Sequence, residues 1–141
     1  MQKFHISGGR PLQGEIAVSG AKNSVLPILA ACTLCRGVCV LHNCPEISDV
    51  EHTVAILRAL GAQVEVHDSG LTVTGQPTLT GGTVDPQHDH RIAMAAATAA
   101  CGCAAPVTVQ DRACIDKSYP RFWTDLSALK TVPAAENTEL E

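Results

Sequence analysis

Apolar residues along the first half of the chain follow two alternating kinds of spacing. Short stretches alternate apolar with polar residues, as a half-buried strand does, and longer ones repeat apolar residues every three or four positions, as an amphipathic helix does. A capping-box pattern at residues 48–51 and a glycine at Gly61 mark the two ends of the second helix. The predicted order is βαβαββ, with strands at 15–18, 38–41, 63–67 and 71–74 and helices at 22–35 and 48–60.

A repeat with an offset of 69 residues predicts a second unit of the same kind. Residues 30–32 (Ala-Ala-Cys) align with residues 99–101, and Lys22 aligns with Arg91. The second unit lacks the two closing strands, and we expect the N-terminal segment 4–7 to complete it as a strand from the other end of the chain. The elements predicted in this unit are strands at 83–84 and 107–109 and helices at 89–103 and 119–129.

These boundaries divide the chain into five parts. An N-terminal strand segment at 1–13 precedes the first βαβαββ unit at 14–75. A linker rich in Pro, Thr and Gly at 76–82 leads to the second, incomplete unit at 83–130. The tail at 131–141 is polar and has no periodicity, so we expect it to be disordered.

Charge and hydropathy exclude two classes of partner. The 10 Lys and Arg are scattered among 14 Asp and Glu, giving a net charge of −4 and no basic stripe for nucleic acid. No apolar run reaches the roughly 18 residues of a membrane span, and the N-terminus lacks the apolar core of a signal peptide. We therefore expect a soluble, cytoplasmic protein that binds neither nucleic acid nor a membrane.

Seven cysteines raise the question of disulfides or zinc. Cys32 and Cys35 have the CxxC spacing that both would use. They lie at the end of an apolar helix, however, and no second CxxC or histidine pair follows at zinc-finger spacing. The favoured interpretation is reduced, mostly buried thiols that pack as small apolar side chains.

Three basic side chains fall where helices are predicted to begin: Lys22, Arg91 and Lys117. A helix start presents unpaired N–H groups and the positive end of the helix dipole, which attract phosphate and carboxylate groups. A surface lysine at such a position is common, so one of them alone would predict little. All three together predict an anion-binding site.

Residues 87–91, Gln-His-Asp-His-Arg, place a carboxylate and two imidazoles before a helix. The simplest interpretation is that Asp89 caps the helix while His88 and His90 lie in the loop. The alternative is a metal site, which would need a third ligand that the spacing does not supply. No glycine-rich nucleotide motif and no Gly-x-Ser-x-Gly motif occurs, so neither a metal nor a cofactor is predicted.

Two stretches of the chain resemble the enolpyruvyltransferase family. Residues 14–31 (GEIAVSGAKNSVLPILAA) resemble the beginning of its UDP-N-acetylglucosamine branch, and residues 49–61 continue that match. Residues 82–129 resemble the C-terminal end of the 5-enolpyruvylshikimate-3-phosphate synthase branch, through DHRIAMA at 89–95 and KSYP at 117–120. The chain thus resembles the first and last repeat units of the family joined directly.

The resemblance implies an α/β fold of the inside-out type, in which six βαβαββ units form two domains with the active site in the cleft between them. It assigns binding of the phosphate and carboxylate of phosphoenolpyruvate to the three cations Lys22, Arg91 and Lys117. It also implies that Asn23 lies near the second substrate. Asp89 and His90 would orient Arg91 or lie close to it.

The activity implied is enolpyruvyl transfer from phosphoenolpyruvate to a hydroxyl acceptor, with shikimate 3-phosphate and UDP-N-acetylglucosamine as alternatives. The acidic residues that transfer protons in the family lie in units that this sequence does not contain. No catalytic residue is therefore assigned, and we expect the isolated chain to be inactive or weakly active. Three alternatives remain: an enzyme rebuilt from several chains, a phosphoenolpyruvate-binding module, and a structural remnant.

The same resemblance predicts self-association. Each unit of the family packs its helices against two others, so a chain with two units would leave apolar helix faces uncovered. Uncovered apolar faces favour closed symmetric assemblies, and we expect a homo-oligomer, either a trimer or a dimer. The residues expected on those faces are Val50, Val54, Leu57, Leu60, Leu126 and Leu129.

Overall fold

The computed structural model describes residues 2–68 and 70–129, so the tail predicted at 131–141 lies outside the described residues. Helices and strands alternate through the first half, and the second half has shorter strands. In chain order the elements are α1 (Lys22–Cys32), β1 (Val38–His42), α2 (Ser48–Ala59), β2 (Gln63–His67), β3 (Gly70–Thr74), β4 (Gly82–Val84), α3 (His90–Ala100), β5 (Val107–Val109), a 3₁₀ turn (Arg112–Ile115) and α4 (Phe122–Ala128).

The first half forms a three-stranded antiparallel sheet with β3 at its centre. Cys39 of β1 and Val64 of β2 both lie opposite Val73 of β3. Because alternate residues of a strand share a face, this register puts Val64, Leu71 and Val73 on one side, where all three are buried. That side of the sheet carries the helices.

One apolar core joins the two halves of the chain. Helix α1 packs against both α2 and α3, and the alanine-rich inner face of α3 allows a close approach between helices. Residues from both halves are at most 1% exposed in this core: Leu26, Leu29, Leu57, Leu60, Val73, Ala96 and Ala99. A smaller cluster on the other side of α3 contains Ala93, Cys114 and Ile115.

The residues between the two halves also contribute to this core. Leu79 is 2% exposed and bridges to Cys103, and the backbone N–H of Thr80 donates to the carbonyl of Leu60. Strand β4 follows and pairs with β5 in parallel. The connection is thus held at both of its ends.

Two predicted strands do not form. Residues 15–18 and 4–7 belong to no strand, and Ile16 and Phe4 are 88% and 95% exposed. Phe4–Ser7 was expected to complete the second unit, but that unit has only the two three-residue strands β4 and β5 in the described residues. So short an edge offers few hydrogen bonds against the entropy of ordering a further strand. An alternating pattern forms a strand only where a partner edge is available.

Helix boundaries differ from the predicted ones mainly at the ends. Helix α1 stops at Cys32, α3 stops at Ala100, and α4 begins at Phe122. The late start of α4 follows from Pro120, which disfavours the helical conformation at the residue before it. The longest helix has 12 residues, and no helix in the described part of the chain is long and apolar enough to cross a membrane.

The apolar faces expected to drive self-association are largely covered within one chain. The four apolar residues expected on α2 and just after it are at most 5% exposed, because α2 packs against α1 and α3. Of the two expected in the second half, Leu126 is half-buried and Leu129 is exposed. The expectation of uncovered helix faces was therefore wrong for α2, since the second half supplies the cover.

The cysteines are less buried than expected, although all seven are free thiols. Cys32 and Cys114 are buried, and burial together with neighbouring Cys39 raises the pKa of Cys32 to about 11. Cys35 and Cys101 are exposed because both helices end before reaching them. The prediction of mostly buried thiols is thus wrong at these two positions.

Candidate anion-binding site

Lys22 begins α1 and joins that helix to the starts of two others. Its ammonium group forms an ion pair with Asp49 in the first turn of α2 and lies 3.6 Å from Asp89 Oδ2, just before α3. The hydrogen bond to Asp49 raises the pKa of Lys22 above its ordinary value of 10.5, and the charge of Asp89 adds to the effect. The ammonium group therefore stays protonated at neutral pH.

Asp89 caps α3, as predicted, and links Lys22 to Arg91. Its Oδ1 accepts a hydrogen bond of 2.7 Å from the backbone N–H of Arg91, and its Oδ2 lies 4.0 Å from Arg91 Nη1. Burial alone would raise the pKa of Asp89, but the backbone N–H of Arg91 and the charge of Lys22 together lower that pKa below 3.8. The cap is therefore an ionised carboxylate held between two cations.

Lys117 reaches the same loop from another part of the chain. Its Nζ donates a hydrogen bond of 3.0 Å to the backbone carbonyl of His88, next to Asp89. The prediction that Lys117 begins a helix is wrong, since it follows the 3₁₀ turn and precedes the first residue of α4 by five positions. Lys117 is placed by the turn that precedes it.

The backbone that holds Lys117 is in an uncommon conformation. Gln87 and His88 have φ values of 50° and 60°, in the left-handed region that few side chains favour. Asp111 also has a positive φ, 47°, and its carboxylate contacts Nδ1 of His88. This contact and the bond from Lys117 hold the loop from two sides.

His90 is the first residue of α3, so the prediction that it lies in the loop before this helix is wrong. Its Nδ1 is buried and has no hydrogen-bond partner among the described residues. Burial lowers the pKa of His90, and the positive charges of Arg91, Lys117 and Lys22 lower it further. The imidazole is therefore neutral at pH 7, with the three predicted cations close enough to act on it.

Asn23, the remaining predicted site residue, is exposed at the second position of α1. Two residues of the site were not predicted: Asp49, which neutralises Lys22, and Asp111, which holds His88. The predicted helix start at 48–51 placed Asp49 in a first turn, where a carboxylate is common. Nothing in the sequence indicated the second.

The arrangement suits an anion better than a metal ion. Asp49 and Asp89 pair with Lys22, and Asp89 also pairs with Arg91, whereas no carboxylate in the described structure forms an ion pair with Lys117. No side chain caps the start of α1 within the described structure, which leaves its first N–H groups available. The part of the chain that the structure describes has no cluster of three or more His, Cys, Asp or Glu side chains placed to hold a metal.

Sequence comparison finds relatives over about half of the chain. A 73-residue segment is 49% identical to UDP-N-acetylglucosamine 1-carboxyvinyltransferase 2 of Caldanaerobacter subterraneus subsp. tengcongensis, and covers 52% of this chain and 18% of that protein. A 64-residue segment is 55% identical to UDP-N-acetylglucosamine 1-carboxyvinyltransferase of Methylacidiphilum infernorum, and covers 45% of this chain and 15% of that protein. The matches span less than a fifth of either relative.

Structure comparison finds the same fold in a larger protein. EPSP synthase from Acinetobacter baumannii superimposes on 78% of this chain with a TM-score of 0.64, at 23% sequence identity and over 28% of its own length. This likeness confirms the predicted inside-out α/β fold. The sequence also matches one protein family in two overlapping segments, residues 6–77 and 57–126. The chain therefore belongs to the enolpyruvyltransferase family, the family of EPSP synthase (3-phosphoshikimate 1-carboxyvinyltransferase).

Proposed function

We propose that this chain binds phosphoenolpyruvate at the cluster formed by Lys22, Arg91 and Lys117, as the substrate-binding part of an enolpyruvyltransferase. The observation that carries the proposal is the convergence of three cations on one loop from residues far apart in the chain. Lys22 Nζ lies 3.6 Å and Arg91 Nη1 lies 4.0 Å from Asp89 Oδ2, and Lys117 donates a hydrogen bond to the neighbouring carbonyl of His88. A ligand with a phosphate and a carboxylate matches a site with several separate cations.

Two carboxylates of the chain itself determine which cations are available to such a ligand. Asp49 and Asp89 already occupy Lys22, so an incoming anion competes with them for that ammonium group. Arg91 lies at the capped start of α3, where Asp89 accepts its backbone N–H and lies 4.0 Å from its Nη1, beyond hydrogen-bond distance, so the guanidinium N–H groups can donate to a ligand. Arg91 is therefore the proposed principal contact, with Lys117 beside it.

We also propose that the isolated chain has little or no enolpyruvyl-transfer activity. Turnover needs a group that gives up and takes a proton near neutral pH. Of the groups at the site, Asp49 and Asp89 are ion-paired, the lowered pKa of Asp89 makes it a poor proton donor, and the lowered pKa of His90 leaves its imidazole neutral and without an acidic proton to give. Binding without turnover is the expected behaviour.

Two acceptors remain candidates for the transfer reaction. The 89–95 motif supports shikimate 3-phosphate, the acceptor of the proposed shikimate-pathway activity. The identity of 49–55% to UDP-N-acetylglucosamine 1-carboxyvinyltransferases supports UDP-N-acetylglucosamine instead. The cytoplasm is the proposed compartment, since seven free thiols suit a reducing environment.

Calorimetric titration with phosphoenolpyruvate tests the binding site. A charge-assisted hydrogen bond contributes about 1.5–3 kcal/mol, so Arg91→Ala should weaken binding about tenfold or more. Arg36→Ala is the matched control, because Arg36 is exposed on the loop between α1 and β1. Equal affinity of wild type and Arg91→Ala, or equal loss in both variants, would remove the proposed site.

Phosphate release tests the absence of turnover and identifies the acceptor. The chain is incubated with phosphoenolpyruvate and either shikimate 3-phosphate or UDP-N-acetylglucosamine, and we expect no release above the buffer rate. Release with one acceptor would contradict inactivity and name the branch. Release that survives Arg91→Ala would point to a contaminating enzyme.

A further inference from the structure

One core position of the sheet is uncovered. Val64 and Val66 of β2 point to the same face, because they are two residues apart on one strand. Val64 is 4% exposed under the helices, whereas Val66 is 61% exposed. The helical layer therefore stops short of Val66.

The uncovered position borders a cavity of about 320 Å³ between the start of α2 and the β2–β3 hairpin. Val54 and Leu71 are among its apolar lining residues. Three exposed carboxylates also line it, and none of them belongs to an ion pair in the described structure: Glu46, Glu51 and Asp68. The cavity thus combines exposed carboxylates with an apolar interior, and that interior favours an apolar side chain.

The backbone beside the cavity is an open sheet edge. Among the described strands β2 pairs only with β3. The Arg58 guanidinium donates two hydrogen bonds, of 2.9 and 2.6 Å, to the carbonyl of Val64, so that carbonyl points away from β3. Alternation along an antiparallel strand turns the N–H and C=O of Val66 in the same outward direction. The edge can therefore accept a further strand at Val66.

The N-terminal residues 2–19, here called the arm, have the matching chemistry. Every residue of the arm is exposed, and Phe4 and Ile6 are 95% and 91% exposed at alternate positions. Lys3 and Arg10 outnumber Glu15, so the arm has a net positive charge. The arm is held at its base by Asn43, which donates to the Val18 carbonyl and accepts from the Gly20 N–H.

We infer that two copies of this chain exchange arms, each placing residues 3–6 along the free edge of the other's β2. Phe4 then fills the cavity over Val66, and Ile6 follows on the same face two residues later. Lys3 points to the opposite face, beside Glu65, which is exposed on the outer side of β2. The exchange covers Val66 and provides a pairing strand for the open edge of β2 in both copies.

A second copy is the occupant that the structure favours. Within its own chain the arm leaves the body at Gly20 and contacts neither Val66 nor the cavity. In a twofold-symmetric dimer each arm contacts the other copy's β2, so the same contact forms twice. Its contribution to the stability of the dimer is therefore doubled. The inference does not depend on the proposed function, because it uses none of the residues of the anion site.

Sedimentation velocity over a range of concentrations measures the exchange. We expect a dimer that Phe4→Ala weakens about tenfold or more, equivalent to about 1.4 kcal/mol. Leu12→Ala is the matched control, since Leu12 is 97% exposed in the same arm but outside the pairing segment. A wild-type monomer at high micromolar concentration would overturn the inference, as would equal weakening by both substitutions.

A mixing experiment shows which groups meet across the interface. One variant carries Val66→Glu and keeps its arm, and the other lacks residues 2–9 and keeps its cavity. Val66 and residues 2–9 are exposed in the single chain, so each variant should keep its fold by circular dichroism. Each should be monomeric alone, and mixing should give a one-to-one heterodimer that one exchanged arm holds, weaker than the wild-type dimer with two.

Absence of the heterodimer would overturn the arm exchange. A different result would be a monomeric wild type that Phe4→Ala makes less stable, with a lower unfolding temperature. That result would show that the arm occupies its own chain, and it would overturn the assignment of a second copy as the occupant. Arg91→Ala should leave the dimer unchanged. Titration with phosphoenolpyruvate therefore tests the anion site, and sedimentation tests the arm exchange, so either hypothesis can be rejected without the other.

Discussion

The two halves of this chain carry similar patterns of helices and strands but differ in how far each completes its sheet. In the first half three five-residue strands form an antiparallel sheet around β3. In the second half the described strands are β4 and β5, which pair in parallel with three residues each. Adjacent antiparallel strands need only a short turn, whereas parallel strands need a crossover, here α3. The pattern of apolar and polar residues determines the order of helices and strands. The extent of each sheet depends on which strand edges are available for pairing.

The difference makes the second half dependent on the first. Helix α3 turns its alanines toward α1 and α2, so that the first half provides most of the cover for α3. Among the described residues, the second half retains for itself the small cluster around Ile115. We therefore expect a substitution in the shared core to affect both halves and one in the small cluster to affect only the second.

The largest expected effect is that of Leu57→Ala. Leu57 is fully buried in the shared core, so the substitution should lower the free energy of unfolding by about 2–5 kcal/mol. Amide exchange should show loss of protection in both halves. Leu129→Ala, at a 72% exposed position, is the control and should change the unfolding free energy by less than about 0.5 kcal/mol. Two separate unfolding transitions would contradict the shared core.

Ile115→Ala should have a smaller and more local effect. Ile115 is fully buried, but its cluster is small and can relax around the space that is left. We expect a loss of about 2 kcal/mol, at the low end for such a truncation. Amide protection should fall around residues 107–128 and persist in β1–β3. An equal loss of protection in the sheet would show that the halves are more tightly coupled than described.

The two helix starts differ in capping, and this difference predicts a third effect. Asp89 caps α3 through the N–H of Arg91, whereas no side chain caps α2 in the described structure, despite the pattern at 48–51. Asp89→Ala should cost about 1 kcal/mol, and Ser48→Ala should change stability by less than about 0.5 kcal/mol. Thermal unfolding of the two variants measures the contrast. A larger loss from Ser48→Ala would show that the first half uses a cap after all.

The smallest expected effect is a change in acid stability from the charge of Asp89. Its pKa is lowered on folding, so its contribution is fully present above the ordinary value of 3.8 and is lost as the pH falls through the lower value in the folded chain. Asp89→Asn keeps a capping oxygen and removes this pH dependence. Unfolding midpoints of the two proteins should therefore converge as the solution becomes more acidic than pH 3.8. Parallel curves would mean that Asp89 titrates alike in both states.

Several elements followed from local sequence because local chemistry determines them. The hairpin strands at 63–67 and 71–74 formed within one residue of prediction, since their alternation of apolar and polar residues is strict. Asp89 capped its helix because a short carboxylate before a helix reaches the free N–H groups. The start of α2 was placed correctly, although Ser48 became its first helical residue.

Other features depended on contacts that no local pattern contains. The alternating residues at 15–18 resemble a strand, but a strand also requires a free edge within reach, which the sequence does not specify. The role of Asp49 depends on where α1 and α2 cross, and that of Asp111 on where β5 ends. Lys117 was predicted at a helix start, and the structure brings it to the site through a turn instead.

The packing of α1 against α3 has a consequence for how the chain could be divided. These helices are equivalent in the repeat, so the two halves meet through corresponding surfaces, as two subunits of a symmetric protein do. The segment that joins them is exposed at Pro77 and Thr78. A backbone break there separates two fragments, each of which holds one side of the common core. Neither fragment should fold independently, and the pair should behave as a complementing system that regains structure on mixing.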